Sequence, residues 1–372
     1  MRWTRPLAGA VSNRTYLRCA RQVVTICAQS TKWRETPNSG EPDNTMKRSR
    51  KGARRGGSVA LAVLGAMAMG PGTARAVVVY GGSAAANFSA PADDPGWANV
   101  GKVNGSSGVY LGNVSIPGRG SGYWVLTANH VGAGTINLGG TSYSAVTGSS
   151  YRLTNPDNSL TDLLLYRISS DPGLPTLKLA SNTPALGASL TMIGFGYTGA
   201  ASPTTWNIND TVSPWTWTET TTPSGLYGVG YKYGTSGTEN WGVNALAIPT
   251  QSVVSGSSKT DVFGSYALPT SGSAQLATHD SGGAVFVKNG GQWELAGINL
   301  YVGNYSGQPG STAVFSIVDS TGTPSVNYAG NGSYMADLSS HLTQIPEPAS
   351  TAAVTGALCL LGAAAYRFRR EA

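Results

Sequence analysis

Residues 278–285 read THDSGGAV, and this stretch raises the main question of the sequence: whether Ser281 is a nucleophile or an ordinary turn serine. An acid directly precedes the serine and two glycines follow it, between the polar stretch 269–273 and the apolar run AVFV at 284–287. Glycines permit tight turns and close approach of other groups to the backbone. The stretch therefore predicts a sharp turn that leads into a buried strand.

Short runs of β-branched and aromatic residues recur through the body of the chain, separated by turn residues. They lie at 108–111, 123–127, 163–168, 190–193, 262–266, 284–287, 294–298 and 312–317. Strands at this spacing predict an all-β sandwich or barrel. One short helix is expected at 337–344, and the Trp-rich stretch 197–250 is expected to form long surface loops with one hairpin.

The chain has 372 residues and a formal net charge of +7, but the positive charge lies in its ends. Residues 1–76 hold 14 of the 25 Lys and Arg residues, whereas residues 77–345 carry eight basic and 13 acidic residues, a net charge of −5. A mildly acidic body without a basic cluster gives no electrostatic footprint for nucleic acid. Nucleic acid is therefore excluded as an expected partner.

The N-terminal part is typical of a targeting signal. A basic stretch at 47–55 precedes the apolar run SVALAVLGAMAM at 58–69, and ARA at 74–76 has a small-x-small cleavage pattern. This arrangement predicts a secretory signal peptide over 46–76, cut by signal peptidase after Ala76. Residues 1–45 are interpreted as a mis-called extension ahead of the true start at Met46; the alternative is a long n-region.

The C-terminal residues 346–372 have three parts: PEPAS, an apolar run at 351–366, and RFRR at 367–370. This arrangement resembles the PEP-CTERM sorting tail of Gram-negative bacteria. The resemblance implies recognition by an exosortase, removal of the helix, and delivery to the cell surface or extracellular matrix, with membrane contact only through the tail before processing. A plain C-terminal membrane anchor is the alternative, and in both cases the body faces outward.

Cysteine and histidine usage excludes several kinds of site. The three cysteines all lie outside residues 77–345, so the body has neither a disulfide framework nor a thiol nucleophile. With only three histidines and no clustered ligand motif, a metal site is not expected. The remaining candidates are His130, His279 and His341.

Three short motifs follow one another along the chain. VLTANH ends at His130, Asp162 precedes the apolar run LLLYRI at 163–168, and DSGG contains Ser281. These motifs, in the order His, Asp, Ser, resemble those of the chymotrypsin-like (trypsin-fold) serine proteases. Each motif alone is weak, and each residue alone has a plain structural explanation as a strand-end histidine, a cap acid or a turn serine.

The resemblance implies a fold and an activity. The fold would be two packed antiparallel six-stranded β-barrels with a short C-terminal helix: an N-terminal barrel over 77–185 and a C-terminal barrel over 186–345. The site would lie between them, the substrate would be a polypeptide, and no metal or organic cofactor is implied. The expected activity is that of a secreted, surface-sorted serine endopeptidase.

The physical roles of these residues follow from the chemistry of a serine hydroxyl, which needs a base to become a nucleophile. His130 would be that base, and a buried Asp162 would fix its tautomer. The backbone N–H groups of His279 and Ser281 would form the oxyanion hole. The family almost always has glycine at the position of His279, so a strained positive φ is expected there, which histidine tolerates better than most residues. His341 is expected at the surface.

Fewer sequence features bear on substrate contacts. By resemblance, Gln275 would lie at the base of the specificity pocket, and Asn299, Leu300 and Tyr301 would form the strand edge that pairs with an extended substrate. Val302 would narrow the pocket.

Residues 79–82 (VYGG) resemble the family's processed N-terminus, whose amine pairs with the acid before the nucleophile, here Asp280. Trimming to Val79 is therefore the expected activation step.

Another class of function remains open. The chain would then be a catalytically weak or inactive binding module of the cell surface or matrix, with the Trp-rich stretch 197–250 as its contact surface. A purely structural matrix role is a more distant alternative, since it gives no reason for three catalytic motifs in order.

Overall fold

The computed structural model describes residues 77–82, 85–324 and 331–345, which belong to one compact unit. The predicted extension, signal peptide and sorting tail lie outside these residues. In chain order the strands are β1 (Val78–Val79), β2 (Val100–Val103), β3 (Ser106–Ile116), β4 (Gly120–Ala128), β5 (Ile136–Leu138), β6 (Thr141–Tyr143), β7 (Tyr151–Thr154), β8 (Leu160–Arg167), β9 (Ser189–Gly194), β10 (Tyr197–Gly199), β11 (Thr204–Asn209), β12 (Thr216–Thr220), β13 (Tyr227–Ser236), β14 (Asn240–Ala245), β15 (Ile248–Ser255), β16 (Ser258–Tyr266), β17 (Ala274–Gln275), β18 (Ala284–Asn289), β19 (Gln292–Val302), β20 (Thr312–Val318) and β21 (Gly332–Asp337). Three 3₁₀ helices accompany them, Ala85–Phe88, Trp97–Asn99 and Ser339–His341.

The N-terminal half forms a seven-stranded sheet in the order β6-β5-β2-β3-β4-β8-β7. Its β2–β3 hairpin turns at Asn104 and Gly105, with φ of 47° and 81°. A two-residue hairpin loop favours positive φ at both central residues, and Asn-Gly is the sequence that adopts it most readily. The turn therefore fixes the register of the hairpin, in which Val103 lies opposite Ser106.

The C-terminal half forms a second seven-stranded sheet in the order β14-β9-β18-β19-β21-β16-β15. Its central strands are deeply buried: residues 294–300 of β19 are all inaccessible or nearly so. The β18–β19 hairpin turns at Gly290 and Gly291, with φ of 54° and 85°. This hairpin begins three residues after Ser281 and so holds the serine at one end of the sheet.

One hydrophobic cluster joins the two large sheets. It includes Trp124 and Leu165 of the first sheet together with Phe286 and Ile298 of the second, all nearly inaccessible to solvent. Burying this apolar surface between the sheets is the main driving force that fixes their mutual packing. The residues that follow β4 and β17 are thereby brought to the same region as the start of β8.

A third sheet, in the order β10-β13-β11-β12 with β20 paired to β13, occupies much of the stretch 197–250. The prediction of long loops with one hairpin was therefore wrong for this stretch. Aromatic residues cluster on this sheet: Trp206 is buried, and the ring of Trp215 stacks on Tyr305 from the loop before β20, with centroids 6.2 Å apart. The polar residues between them, which favoured the loop prediction, are the exposed positions of these strands.

The predicted all-β fold with two β-sheet domains is confirmed, and all eight predicted apolar runs overlap strands. Each large sheet has seven strands instead of six, and its two end strands do not pair with each other in the described residues. The predicted helix at 337–344 is only a 3₁₀ turn, Ser339–His341. No helix in the described ranges is long and apolar enough to cross a membrane.

Candidate active site

Asp162 and His130 meet where β8 and β4 run side by side. Asp162 Oδ2 lies 2.7 Å from His130 Nδ1, and Asp162 Oδ1 accepts the backbone N–H of His130 at 3.0 Å. The carboxyl side chain is 4% exposed and the imidazole 45% exposed. The acid is therefore buried behind the ring and fixes both its orientation and its protonated nitrogen, while the other ring nitrogen is left for a reacting group.

Tyr301 completes this arrangement in a way that the sequence did not reveal. Its hydroxyl donates to Asp162 Oδ2 at 2.7 Å, and its ring stacks on the ring of His130 with centroids 6.2 Å apart. Burial, followed by the neighbouring Asp162 charge, raises the pKa of Tyr301 well above its usual value, so the hydroxyl keeps its proton and stays a donor. Tyr301 was predicted as a substrate contact, and the structure places it on the acid and the histidine.

Ser281 lies in a turn whose hydrogen bonds hold it from two sides. Its hydroxyl donates to the Leu300 carbonyl at 3.1 Å, and its own carbonyl accepts the N–H of Ser107 at 3.0 Å. A Cβ at Gly282, where φ is 86°, would overlap with the Ser107 carbonyl, so the first glycine after the serine is needed for this close approach. Leu300 adjoins Tyr301, which contacts His130 and Asp162, so Ser281 is connected to this pair through two neighbouring residues. Among the described residues, no hydrogen bond joins the Ser281 hydroxyl to His130 itself.

The backbone N–H groups of the turn fall into two sets. Those of Asp280, Gly282 and Gly283 donate to the carbonyls of Ala277, Asn299 and Asp280, respectively. Those of His279 and Ser281 have no acceptor among the described residues. Two unpaired donors flanking a serine hydroxyl are what an oxyanion hole requires.

His279 adopts the positive φ that was expected, at 76°. Its carbonyl accepts the Ser107 hydroxyl at 3.2 Å, and its Nδ1 lies 3.5 Å from the Ser106 hydroxyl. The ring also lies against Tyr197, with centroids 5.1 Å apart. These contacts hold the backbone in the left-handed region with the imidazole turned toward the β2–β3 hairpin.

The strain at His279 leads to a stability prediction. His279→Val is expected to lower the free energy of unfolding by about 1–3 kcal/mol relative to His279→Gly, because a β-branched residue resists positive φ. Thermal or denaturant unfolding of both variants measures the difference. Equal stabilities would show that the backbone at this position is not strained. His130→Val and His130→Gly serve as the matched control pair, since no positive φ is found at His130.

The predicted substrate contacts differ in accessibility. Gln275 is fully buried, and neither polar atom of its side chain has a partner among the described residues. Asn299 is also fully buried, and its backbone carbonyl and N–H both bind the nucleophile turn, at Gly282 and Gly283. The backbone of Asn299 is therefore not free to pair with a substrate, and the prediction of Asn299 as a substrate contact is corrected. The strand edge that follows Asn299 stays a predicted substrate contact.

Two further predictions are corrected by the structure. His341 is fully buried instead of exposed, because the 3₁₀ turn folds it inward, and burial lowers its pKa. At Asp280, the expected partner was the nitrogen of Val79, but Val79 pairs with Ala274 in the short β1–β17 sheet. It is the nitrogen of Val77 that donates to Asp280 Oδ2, at 3.3 Å.

Asp280 is fully enclosed behind the nucleophile turn. Besides Val77, the backbone N–H groups of Ala277 and Gly196 donate to it, at 2.8 and 2.9 Å. Burial nevertheless raises the pKa of its carboxyl to about 7. Three neutral donors therefore do not fully offset the cost of burying the charge.

The described residues contain no group of three or more His, Cys, Asp and Glu residues that could hold a metal ion.

Comparison with solved structures finds proteases at low identity. The chain is 15% identical to the active form of the Rv3671c protease from M. tuberculosis, with 77% of this chain and 95% of that chain covered and a TM-score of 0.37. It is 17% identical to neuropsin, a serine protease expressed in the limbic system of mouse brain, with 64% and 86% covered and a TM-score of 0.36. No curated protein matches the chain.

The family comparison is more direct. The trypsin family matches residues 120–321, more than half of the 372-residue chain. The matched segment includes β4 with His130, β8 with Asp162 and the turn that contains Ser281. The chain therefore belongs to the trypsin family.

Proposed function

We propose that this trypsin-family chain is a serine endopeptidase with His130, Asp162 and Ser281 as its catalytic residues. The observation that carries the proposal is the buried carboxylate of Asp162, which contacts His130 Nδ1 at 2.7 Å. A buried acid that holds an imidazole in one tautomer, beside a turn serine, is the arrangement that activates a serine hydroxyl.

The mechanism assigns one step to each group. The Ser281 hydroxyl leaves the Leu300 carbonyl, gives its proton to His130 Nε2 and attacks the scissile carbonyl carbon. The oxyanion that forms accepts hydrogen bonds from the N–H groups of His279 and Ser281. His130 then protonates the departing amine, and water repeats the sequence to release the acyl group. Asp162 stabilises the imidazolium throughout.

A polypeptide is the expected substrate because an open strand edge follows Leu300. The backbone from 300 to 302 would pair with the acyl half of an extended peptide, as in other cases of strand addition. Buried Gln275 would then lie behind the pocket and reach a substrate side chain only after rearrangement. Val302 is half-buried on this edge and would narrow the pocket.

The proposal is tested by incubating the purified protein with a mixed peptide library and identifying the products by mass spectrometry. Cleavage of internal bonds is expected, together with its loss in Asp162→Asn, by about 10⁴-fold in kcat because the imidazole loses its correct tautomer. Unchanged cleavage by Asp162→Asn would remove this residue from the mechanism.

Tyr301→Phe separates the hydroxyl of this residue from its ring. The variant keeps the stacking on His130 but removes the hydrogen bond to Asp162 at 2.7 Å. A hydrogen bond to a charged group contributes about 1.5–3 kcal/mol, so kcat is expected to fall by about 10- to 100-fold with little change in KM. Steady-state kinetics measures the split. A change confined to KM would make Tyr301 a substrate contact, as first predicted. Tyr305→Phe, in the loop between β19 and β20, is the control.

Secretion and surface sorting are part of the proposal and rest on the sequence. Signal peptidase would remove residues 46–76, and an exosortase-type enzyme would process the tail at 346–372. The expected location is the surface or extracellular matrix of a Gram-negative bacterium. Cell fractionation with N- and C-terminal peptide mapping tests this, and a product that keeps its tail in the cytoplasm would contradict it.

We also propose that removal of the signal peptide completes the site. Cleavage after Ala76 would make the nitrogen of Val77, 3.3 Å from Asp280 Oδ2, a positively charged amine. The charged amine would form an ion pair with the carboxylate of buried Asp280, which otherwise has only neutral hydrogen-bond donors. No second trimming step is then required.

The alternative function, a weakly active or inactive binding module, is favoured by the third sheet. A cavity of about 420 Å³ lies there, lined by Trp206, Trp217, Glu219, Lys232 and Tyr233 with residues 309–312. A pocket with aromatic walls and a few polar groups is typical of a ligand site. Loss of all hydrolysis in a folded protein would favour this function.

A further inference from the structure

Lys102 is the one lysine among the described residues that makes no ion pair. The other four pair with acids, as Lys178–Glu294, Lys232–Glu219, Lys259–Asp157 and Lys288–Asp93. The side chain of Lys102 is exposed, in a body with a net charge of −5. The ammonium of Lys102 is therefore available to an anionic group of a ligand that binds at this part of the surface.

The β2–β3 hairpin fixes where this cation lies. Lys102 is directly opposite Ser107 in the register set by the Asn104–Gly105 turn. Side chains directly opposite each other in an antiparallel pair point to the same face. The Ser107 hydroxyl donates to the His279 carbonyl at 3.2 Å, so this face of the hairpin meets the nucleophile turn.

The other neighbours of the ammonium agree with this placement. A Cβ built on Gly237 would lie 2.7 Å from Lys102 Nζ, and the N–H of Gly237 bonds to the Phe195 carbonyl. The N–H of Phe195 in turn bonds to the Ser107 hydroxyl. The ammonium therefore lies over the groove between the hairpin and the loop at Gly237.

His279 lines the same groove. Its ring contacts Ser106 of the hairpin and Tyr197 on the opposite wall. Burial, and secondarily the Lys102 charge, lowers the pKa of His279 below its usual value. At neutral pH the imidazole is therefore an uncharged hydrogen-bonding group, and Lys102 supplies the positive charge.

The position of the groove relative to Ser281 decides which half of a substrate it receives. On one side, the Ser281 hydroxyl contacts Leu300, from which the acyl half would extend along β19. On the other side, the Ser281 carbonyl accepts the N–H of Ser107 in the hairpin. A peptide whose scissile carbonyl carbon lies at Ser281 must therefore place its leaving half, the part after the cleaved bond, over the hairpin.

We propose that Lys102, with His279 beside it, forms a subsite for a carboxylate on the leaving side of the scissile bond. This inference rests on the proposed function. The carboxylate would be an Asp or Glu side chain one or two residues beyond the cleaved bond, or the α-carboxylate at the end of a short chain. Lys102 is a specificity-determining residue in this account, and the favoured substrates are acidic on their leaving side.

Acyl transfer tests the subsite without knowledge of the natural substrate. A nitrophenyl ester acylates Ser281 of the secreted protein, produced from the full-length chain, and amines then compete with water for the acyl group. The amine nitrogen attacks the acyl carbon, the new C–N bond forms as the C–O bond to Ser281 breaks, and the amine's proton passes through His130 to Ser281 Oγ. The ratio of aminolysis to hydrolysis reports binding on the leaving side alone.

The amines are matched pairs: Glu-amide with Gln-amide, Ala-Glu-amide with Ala-Gln-amide, and Ala-Ala with Ala-Ala-amide. At least one carboxylate member is expected to exceed its neutral partner by about three- to fivefold, the ratio that an ion pair with an exposed lysine contributes. The third pair separates an α-carboxylate from an acidic side chain. In Lys102→Gln the ratio between the carboxylate amine and its neutral partner is expected to fall to near one. In Lys102→Glu the preference is expected to reverse, so that Lys-amide is favoured over Gln-amide.

Lys288→Gln is the matched control, because Lys288 pairs with Asp93 instead of facing the groove. Ester turnover with no carboxylate preference in any pair would overturn the subsite and leave the proposed endopeptidase intact. A preference that survives in Lys102→Gln would also overturn the subsite. A folded protein that forms no acyl-enzyme would overturn both the subsite and the endopeptidase.

Discussion

His130→Ala and Ser281→Ala are each expected to lower kcat for peptide hydrolysis by about 10⁴–10⁶-fold. The hydroxyl of Ser281 is a weak nucleophile without a base, and the Asp162 contact at 2.7 Å has no catalytic use without the imidazole. Residues that act as one unit are not additive, so the double variant is expected to be no slower than either single one. Steady-state kinetics on one peptide substrate measures all three.

A control separates this prediction from a general loss of structure. Ser121 is an exposed serine of β4, and Ser121→Ala is expected to keep the wild-type rate. Circular dichroism and thermal unfolding confirm that each variant folds. Residual activity above a hundredth of wild type in Ser281→Ala would show that another group is the nucleophile.

A chain that begins at Val77 is expected to be more stable and more active at pH 8 than one that begins at residue 73. In the longer chain Asp280 has a pKa of about 7, raised from 3.8 by burial. A folded pKa above the unfolded value favours the protonated form, so the associated stability is present below about pH 3.8 and is lost as pH rises through 7. The Val77 amine would stabilise the ionised carboxyl instead.

The two chains are therefore expected to have similar stability near pH 4 and to diverge as pH rises toward 8. At still higher pH the amine loses its proton and the difference is expected to shrink. Melting temperatures across this range measure the effect. Each chain is produced behind a cleavable fusion partner, whose removal leaves either Val77 or residue 73 as the first residue. In Asp280→Asn the dependence on the starting residue is expected to disappear. Equal melting curves for both chains at pH 8 would contradict the proposed ion pair.

The sequence predicted the fold class well because the strands of the two large sheets have strong local patterns. The run LLLY at 163–166 and the run AVFV at 284–287 are apolar on both faces, and both lie at buried strand positions. The stretch 197–250 failed for the opposite reason. Its strands are half exposed, and several of their aromatic residues pack in a small separate cluster, so neither a continuous apolar run nor a clean alternation marked them.

Within the site, the predicted pair His130 and Asp162 is in direct contact, and Ser281 is connected to it through Leu300 and Tyr301. Contacts between residues far apart in sequence were not predictable. Tyr301 and Asp162 are 139 positions apart, and nothing in either local sequence indicates their hydrogen bond. The same holds for Val77 and Asp280, although the position of Val77 directly after the predicted cleavage site was a signal that could have been used.

His341 shows how exposure can be misjudged. A polar segment near the end of a chain is usually a surface helix, and SSHL at 339–342 has no clear amphipathic pattern. The 3₁₀ turn packs against the core instead, with Leu338 and Ile345 buried on either side of the histidine. Tertiary packing therefore overrode the local expectation.

The central claim is that Ser281 is an activated nucleophile beside a working oxyanion hole. Labelling of the purified, signal-cleaved protein with a fluorophosphonate probe tests it directly, because the probe reacts only with such a serine and needs no known substrate. We expect labelling of the wild type and its loss in both Ser281→Ala and His130→Ala. No labelling of a folded protein that begins at Val77, or labelling that persists in Ser281→Ala, would contradict the claim.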